Sequence, residues 1–356
     1  MRIMKKKKTV SGSGLAKERD YLFDNVKALM LFFVALGHVV NVYMRDGAIE
    51  FTLIKYIYLF HMPVFAFVTG YFSKNADRAR ERAMTGSLFP YILFQGIYIL
   101  MARMMIILGL ASFNTDIFNG SLLLPSSAFY YLLAVFFWKL FQKDLFRFRY
   151  PLLLSLALGL LVSLTKQEAF HTGYGAVFSL LIFFTAGVMC DPEMIRKLRS
   201  LPRWIGVLIL VAGIPAAYFT PYGMHSVRLT YEAEGFSNLQ GLLMRILFYS
   251  IAFLMGAAVI QLMPDRKTWI SGIGKASLIV YAGSTFLSPH AYLLIASALH
   301  LRSNRALNLA GMIVFSGFLV IFCSIPAFGR LYELIMNSFK RILLLPGEIR
   351  GNRNSG

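Results

Sequence analysis

The chain is predicted to be an all-α polytopic membrane protein of about ten transmembrane helices, with N- and C-termini cytoplasmic. Three observations carry that prediction. Of 356 residues, 57% are hydrophobic and only 15% charged, and the mean hydropathy is +0.62, far too apolar for a soluble domain. Apolar stretches of spanning length, about 20 residues, recur from Tyr21 almost to the C-terminus. The loops between them alternate between rich and poor in Lys and Arg.

The ten stretches fall at about 21–44, 51–73, 87–110, 126–142, 150–165, 173–190, 203–220, 242–263, 273–299 and 306–328. A basic run, Lys5 to Lys8, precedes the first, as in the n-region of a signal peptide. The apolar stretch after it is too long for that and is interrupted by Asp24, Lys27 and His38, so an uncleaved first span is expected. The second contains Pro63, which has no N–H for the carbonyl of Leu59, so a bend is expected beside His61. In a bilayer such a bend persists only where protein or water satisfies the freed carbonyl, as a cavity wall does. The third follows a cationic loop and opens at Pro90. The fourth and fifth are short, and tilt or extension into their flanks is expected to complete them. The sixth, seventh, eighth and tenth rest on length and apolarity. The ninth contains Pro289 and is expected to break or kink there. Segments 1–20 and 329–356 are basic cytoplasmic ends flanking one membrane-embedded domain, 21–328, with no fixed structure expected for Arg2–Lys17 or Gly351–Gly356. No internal repeat and no independent soluble domain is discernible.

A net charge of +19 invites a nucleic-acid partner, but its distribution argues otherwise. With the N-terminus inside, 28 of the 36 Lys and Arg residues fall in inner segments and 6 in outer loops, while Lys55 and Arg103 lie within spans. That is the positive-inside pattern, and anionic membrane lipid rather than nucleic acid accounts for the excess. A multi-pass location in the cell (plasma) membrane is expected. Cys190 and Cys323 both fall near inner helix ends, so no extracellular disulfide framework is expected.

Ionisable groups inside a membrane helix are expensive and mark function. Asp24, Lys27 and His38 share the first span at steps of 3 and 11, near whole helical turns, so all three project from roughly one face. His38 stands about 14 residues above the inner start, roughly 21 Å, toward the outside. His61 is mid-span in the second stretch and Arg103 in the outer half of the third, so one shared pocket is expected for two imidazoles and a guanidinium. Plainer readings stand beside these. His38 bonds a neighbouring helix; His61 satisfies a carbonyl loosened by Pro63; Arg103 pairs with an outer carboxylate or snorkels; Asp24 and Lys27 pair with each other or anchor the helix. The loop carrying Lys74, Arg78, Arg80 and Arg82 is a topology signal on one reading. On the other it docks a phosphorylated cytosolic ligand, since Arg forks suit phosphate. No metal is expected.

The blocks Tyr21-Leu-Phe-Asp24-Asn-Val-Lys27 to Leu36-Gly37-His38, and Phe60-His61-Met62-Pro63 through Gly70-Tyr-Phe-Ser73, resemble the acyltransferase-3 integral membrane family, with its fucose 4-O-acetylase-like branch nearest. Weaker likenesses continue through Leu88-Phe89-Pro90-Tyr91, Tyr130-Tyr131-Leu132-Leu133 with Trp138-Lys139, Phe183-Phe184 with Gly187, and Gly274-Lys275-Ala-Ser277-Leu278 to Tyr281, covering most of spans one to nine. Members transfer acyl groups, usually acetyl from acetyl-CoA, onto hydroxyls of extracytoplasmic or lipid-linked glycans. The resemblance implies that His38 is the catalytic histidine. Lys27 stands where many members carry arginine, keeping the charge without the bidentate geometry. The family's cytoplasmic Arg-x-x-Arg is not matched as such, because Arg78, Arg80 and Arg82 are spaced differently. Many relatives carry a histidine after the Ser-Leu-x-x-Tyr block where this chain has Ser284, so no histidine role is carried over there, and His290 is not an obvious substitute.

The implied function is a membrane O-acyltransferase that moves an acyl group, acetyl being expected, from cytoplasmic acyl-CoA to a glycan hydroxyl. Such a reaction needs a general base, and neutral imidazole suits pH near 7. His38 is the expected base for direct attack of the hydroxyl; passage of the acyl group through His38 itself is the mechanistic alternative. Asp24 and Lys27 are expected to orient or tune it, and His61 or Arg103 to supply an oxyanion donor. Lys74, Arg78, Arg80 and Arg82 are expected to bind CoA, and Arg103 and Tyr281 the acceptor. Two rivals remain: a glycan or lipid transporter or flippase, whose path would use the same polar groups, and an inactive scaffold of an envelope-assembly complex.

Overall fold

The computed structural model describes residues 20–109, 122–164, 174–225 and 230–343, and among these every regular element is a helix. In chain order they are α1 (Tyr21–Tyr43), α2 (Ala48–Tyr71), α3 (Ala76–Ala83), a π-helical turn (Met84–Leu88) and α4 (Phe89–Ile107). Then come α5 (Tyr130–Leu145), α6 (Pro151–Leu161), α7 (Tyr174–Ser179), α8 (Leu181–Met189), α9 (Pro192–Ser200) and α10 (Arg203–Phe219). The last are α11 (Asn238–Leu262), α12 (Ser271–Lys275), α13 (Ser277–Ala298), α14 (Arg305–Cys323) and α15 (Pro326–Leu343). The two segments expected to lack structure, Arg2–Lys17 and Gly351–Gly356, lie outside the described residues.

Helix occupies each of the ten apolar stretches, but length divides them. Five runs are long and apolar enough to cross a membrane unaided: α1, α2, Ala76–Met104, α11 and α14. Two bent pairs raise the number to seven: Tyr174–Met189 with Pro192–Ser200 at 95°, and the halves of α13 on either side of Pro289 at 48°. The bend expected at Pro289 is therefore present. At Pro63, α2 runs through the proline as one continuous helix. The short fourth and fifth stretches remain short; α6 has 11 residues, about 16 Å of rise against a hydrocarbon core of about 30 Å.

At the centre, α1 packs on α2, α12, α13 and α14, while α2 packs on α8, α10 and α11. The tightest crossing, α2 on α8, is made by two glycines. A β-carbon on Gly70 would strike the Phe184 carbonyl, and one on Gly187 would strike the Phe67 carbonyl. Only hydrogen side chains allow backbones that close, the small-residue logic of membrane helix pairs. Lys55, inside α2, is buried and donates to Tyr218 O at 3.0 Å and Thr220 O at 2.9 Å, capping the C-terminal end of α10. A cation there meets carbonyls that the helix leaves unpaired and the negative end of its dipole. At the α1–α2 loop, Arg305 grips the buried Glu50 with both arms of its fork, and Arg302 reaches Asp46 at 3.3 Å. These tie the α1–α2 loop to the start of α14.

Three amphipathic helices were not separated in the sequence: α3, α9 and α15. The segment 329–356, expected as a tail, is helical as far as Leu343 and packs on α4 through Tyr332 against Phe94 and Phe339 against Phe89. Its apolar residues recur at helical spacing, but Arg330, Glu333, Lys340 and Arg341 dilute any spanning-length window.

Candidate functional site

The two predicted histidines come together. Gly37 of α1 lies against Ile57 and Tyr58 of α2, with a virtual β-carbon 3.5 Å from each, and the next residue on α1 is His38. Tyr58 stacks on the His61 ring, centroids 5.4 Å apart, and also packs against Gly37, the residue before His38. His38 is half-buried and His61 buried. Around them Leu36, Val39, Val40, Ile54 and Ile57 form an apolar wall shared with α13 and α14.

His61 Nδ1 lies 2.7 Å from the carbonyl of Ile57, one turn back along α2. A carbonyl only accepts, so Nδ1 carries the proton and Nε2 of the neutral ring is left with its lone pair. This is not the carbonyl that Pro63 frees, which belongs to Leu59. In the neutral ring this arrangement leaves an acceptor at Nε2.

Asp24 and Lys27 form a second group at the other end of α1. Lys27 Nζ pairs with Asp24 Oδ1 at 2.8 Å and lies 5.8 Å from the centroid of Phe72. Eleven residues separate Lys27 from His38, about 16 Å along the helix, so this pair and the imidazoles are distinct. Asn25 between them went unremarked in the sequence. It is fully buried, donates to Pro264 O at 2.9 Å and Arg266 O at 3.0 Å, and accepts from the hydroxyls of Thr268 and Ser271, each at 2.7 Å. That strut seats α12 on α1, where a methyl on Gly274 would collide with the backbone of Asp24. The one sequence signal for it was a third polar residue within the first two turns of an apolar span.

The remaining predicted residues are dispersed. Arg103 is exposed on α4. Tyr281 is buried, meets Phe129 and Tyr131 edge-to-face, and donates to the carbonyl of Ala128. Ser284, buried on the same helix, donates back to Tyr281 O at 3.0 Å. Lys74, Arg78 and Arg80 are exposed, whereas Arg82 is half-buried against α5. Lys74 lies over the Tyr71 ring at 4.3 Å. Arg245, counted with the outer loops in the sequence, is buried over Tyr231 and donates to Ser163 Oγ at 3.4 Å.

An apolar cavity of about 220 Å³ opens between α2, α8, α9 and α11, lined among others by Pro63, Phe67, Phe183, Cys190, Ile195 and Phe253. Neither histidine lines it, so the space beside Pro63 is on the face of α2 away from the imidazoles.

Comparison with known proteins adds a family. The Acyl_transf_3 family model, described as an acyltransferase domain, matches residues 20–330. The nodulation protein NolL of Sinorhizobium fredii (strain NBRC 101917 / NGR234) is 38% identical over 68 residues, 18% of this chain and 19% of that protein. NolL of Mesorhizobium japonicum (strain LMG 29417 / CECT 9101 / MAFF 303099) is 38% identical over 61 residues, 16% of each chain. The chain thus spans less than a fifth of the length of these curated relatives. No solved structure matches it.

Proposed function

Since the chain belongs to the acyltransferase-3 family, we propose that it is a plasma-membrane O-acyltransferase with ten membrane segments and both termini cytoplasmic. It takes an acyl group, acetyl being the simplest, from cytoplasmic acyl-CoA and places it on a hydroxyl of an extracytoplasmic or lipid-linked glycan. The observation that carries this reading is that His38 and His61 stand on packed consecutive helices and are linked through Tyr58, which stacks on His61 and packs against Gly37.

In this reaction His38 accepts the proton of the acceptor hydroxyl while that oxygen attacks the thioester carbonyl carbon. The tetrahedral oxyanion then collapses, the C–S bond breaks, and the proton on His38 passes to the CoA sulfur. General base assistance of this kind contributes typically 10²–10⁴-fold. His61 Nε2, held as an acceptor by the bond at Nδ1, keeps the local proton count fixed: it receives a hydrogen bond from the acceptor or from His38. Asp24 and Lys27, far below, hold the inner end of α1 in place beside α12. The donor approaches from the side of Lys74, Arg78, Arg80 and Arg82, and its acyl end reaches toward the imidazoles. Arg103 and Tyr281 were expected on the acceptor side; burial of the Tyr281 hydroxyl against Ala128 O favours a packing role for it. The likeness to the fucose 4-O-acetylase branch is what suggests a sugar hydroxyl.

The test is O-acylation of surface glycan in cells carrying His38→Ala at unchanged protein level and insertion. A drop of about 10² or more is expected; full activity ends the role given to His38. Acyl-CoA turnover by the purified protein in detergent, with no gradient, separates this reading from a transporter, which would show none.

A further inference from the structure

The apolar cavity of about 220 Å³ between α2, α8, α9 and α11 takes no part in the reaction above, since neither histidine lines it. It has a local cause. The α11 residues facing it include Ala252, Gly256 and Ala257, too small to fill the gap toward Pro63 of α2. Its roof is α9, which turns 95° away from the helical run before it and so lies across the end of that run. Met194, Ile195 and Leu198 of α9 line the cavity, while Glu193, Arg196 and Lys197 are exposed. Both ends of the roof are pinned. Asp191 caps its first turn, accepting from Met194 N at 2.8 Å, and Arg199 donates to Met263 O and pairs with Asp265 at 3.1 Å.

Protein interiors are close-packed, and voids larger than a water are few. A dry apolar cavity of about 150 Å³ already takes up benzene, so this one has room for a stretch of hydrocarbon. Its lining side chains offer water no strong hydrogen-bond partner. Nor is it sealed: Met194 is 54% exposed, and Phe253 and Ala257 are only half-buried, so the lining reaches the surface between α9 and α11. Charge then selects among lipids. Arg196 and Lys197 share the single carboxylate of Glu193, at 2.5 and 3.9 Å. The outer face of α9 keeps a net positive charge above an apolar underside, the pattern of a helix that lies in a membrane interface and draws anionic headgroups.

We infer that this cavity holds one acyl chain of an anionic membrane phospholipid, whose headgroup rests on Arg196 and Lys197 of α9. The chain belongs to a bound lipid and is not the group transferred, because cavity and imidazoles lie on different faces of α2.

The experiment strips the full chain of lipid in detergent, adds phosphatidylglycerol or phosphatidylcholine of identical chains, and counts bound lipid by native mass spectrometry. Phosphatidylglycerol is expected to bind about fivefold more tightly, the worth of one net cation near the headgroup. Ala257→Phe, which fills the cavity, should weaken it about tenfold or more, the effect of shutting out some two methylenes. Leu208→Phe, on an exposed position of α10, should change nothing. Arg196→Gln combined with Lys197→Gln should erase the preference between the two lipids while a lipid still binds. A measurement on the wild type guards against a misfolded variant: phosphatidylglycerol with a photoreactive diazirine on its acyl chain should label the cavity lining, Cys190 and Phe253 included. Labelling spread around the bundle with none in the cavity, equal binding of both lipids by wild type, or equal retention by Ala257→Phe and wild type overturns the inference. So does a result in which palmitoyl-CoA, and not phosphatidylglycerol, is the ligand that Ala257→Phe displaces, since the cavity would then serve the acyl donor.

Discussion

Asn25→Ala removes a buried amide that makes four hydrogen bonds at once. It donates to Pro264 O and Arg266 O and accepts from Thr268 and Ser271. At a net contribution of about 1 kcal/mol for each bond the loss is about 4 kcal/mol. Two features reduce it. Arg266 is exposed and Pro264 half-buried, so water can reach those carbonyls, and the Thr268 and Ser271 hydroxyls lie 3.3 Å apart and can turn to each other. The expected cost is therefore about 2–4 kcal/mol. Reversible unfolding in mixed detergent micelles measures it. Asn25→Asp serves as the companion: the shape is kept, both donations are lost, and a second carboxylate is set beside Asp24, so it should be at least as destabilising as alanine. Because the strut seats α12 against α1 some three turns from His38, the folded fraction of either variant should keep its acyl-CoA turnover within a few-fold. A change below 0.5 kcal/mol in both variants would refute the claim that Asn25 anchors the inner end of the bundle.

Three further outcomes are expected. Lys55→Met uncaps Tyr218 O and Thr220 O and should cost about 2–3 kcal/mol, read by the same unfolding assay, with turnover per folded molecule unchanged. Gly187→Ala forces the α2–α8 backbones apart and should cost about 1–3 kcal/mol, with a compensating loss of expression visible by quantitative blotting. His61→Asn keeps a donor near the Nδ1 position but no acceptor at Nε2, whereas His61→Gln keeps the group at Nε2. If Nε2 serves the chemistry, kcat falls on the order of 10²-fold for Asn and less for Gln; equal activity of His61→Asn and wild type would reduce His61 to a helix-packing residue.

The candidate site was partly legible in advance. His38 and His61 stood out because each interrupts an apolar run, and interruption is visible without knowing any partner. Asp24 and Lys27 stood out for the same reason, and the pairing between them follows from three-residue spacing on one helix. Arg103 was grouped with the histidines on depth alone, and depth does not fix azimuth: α4 turns that residue outward.

By itself the sequence determined that this is a helical membrane protein, where its apolar helices lie, and which histidines stand in them. Those properties depend on composition and on neighbours within a few residues, and transfer to lipid acts on each segment separately. The tertiary structure decided what each polar group touches. Lys55 meets a carbonyl 163 residues away, Asn25 meets one 239 residues away, and Asp77 of α3 meets Lys143 of α5 across 66 residues. Such contacts depend on the rotation and crossing of packed helices, which glycines such as Gly70 and Gly187 set at backbone distance and which no single segment encodes.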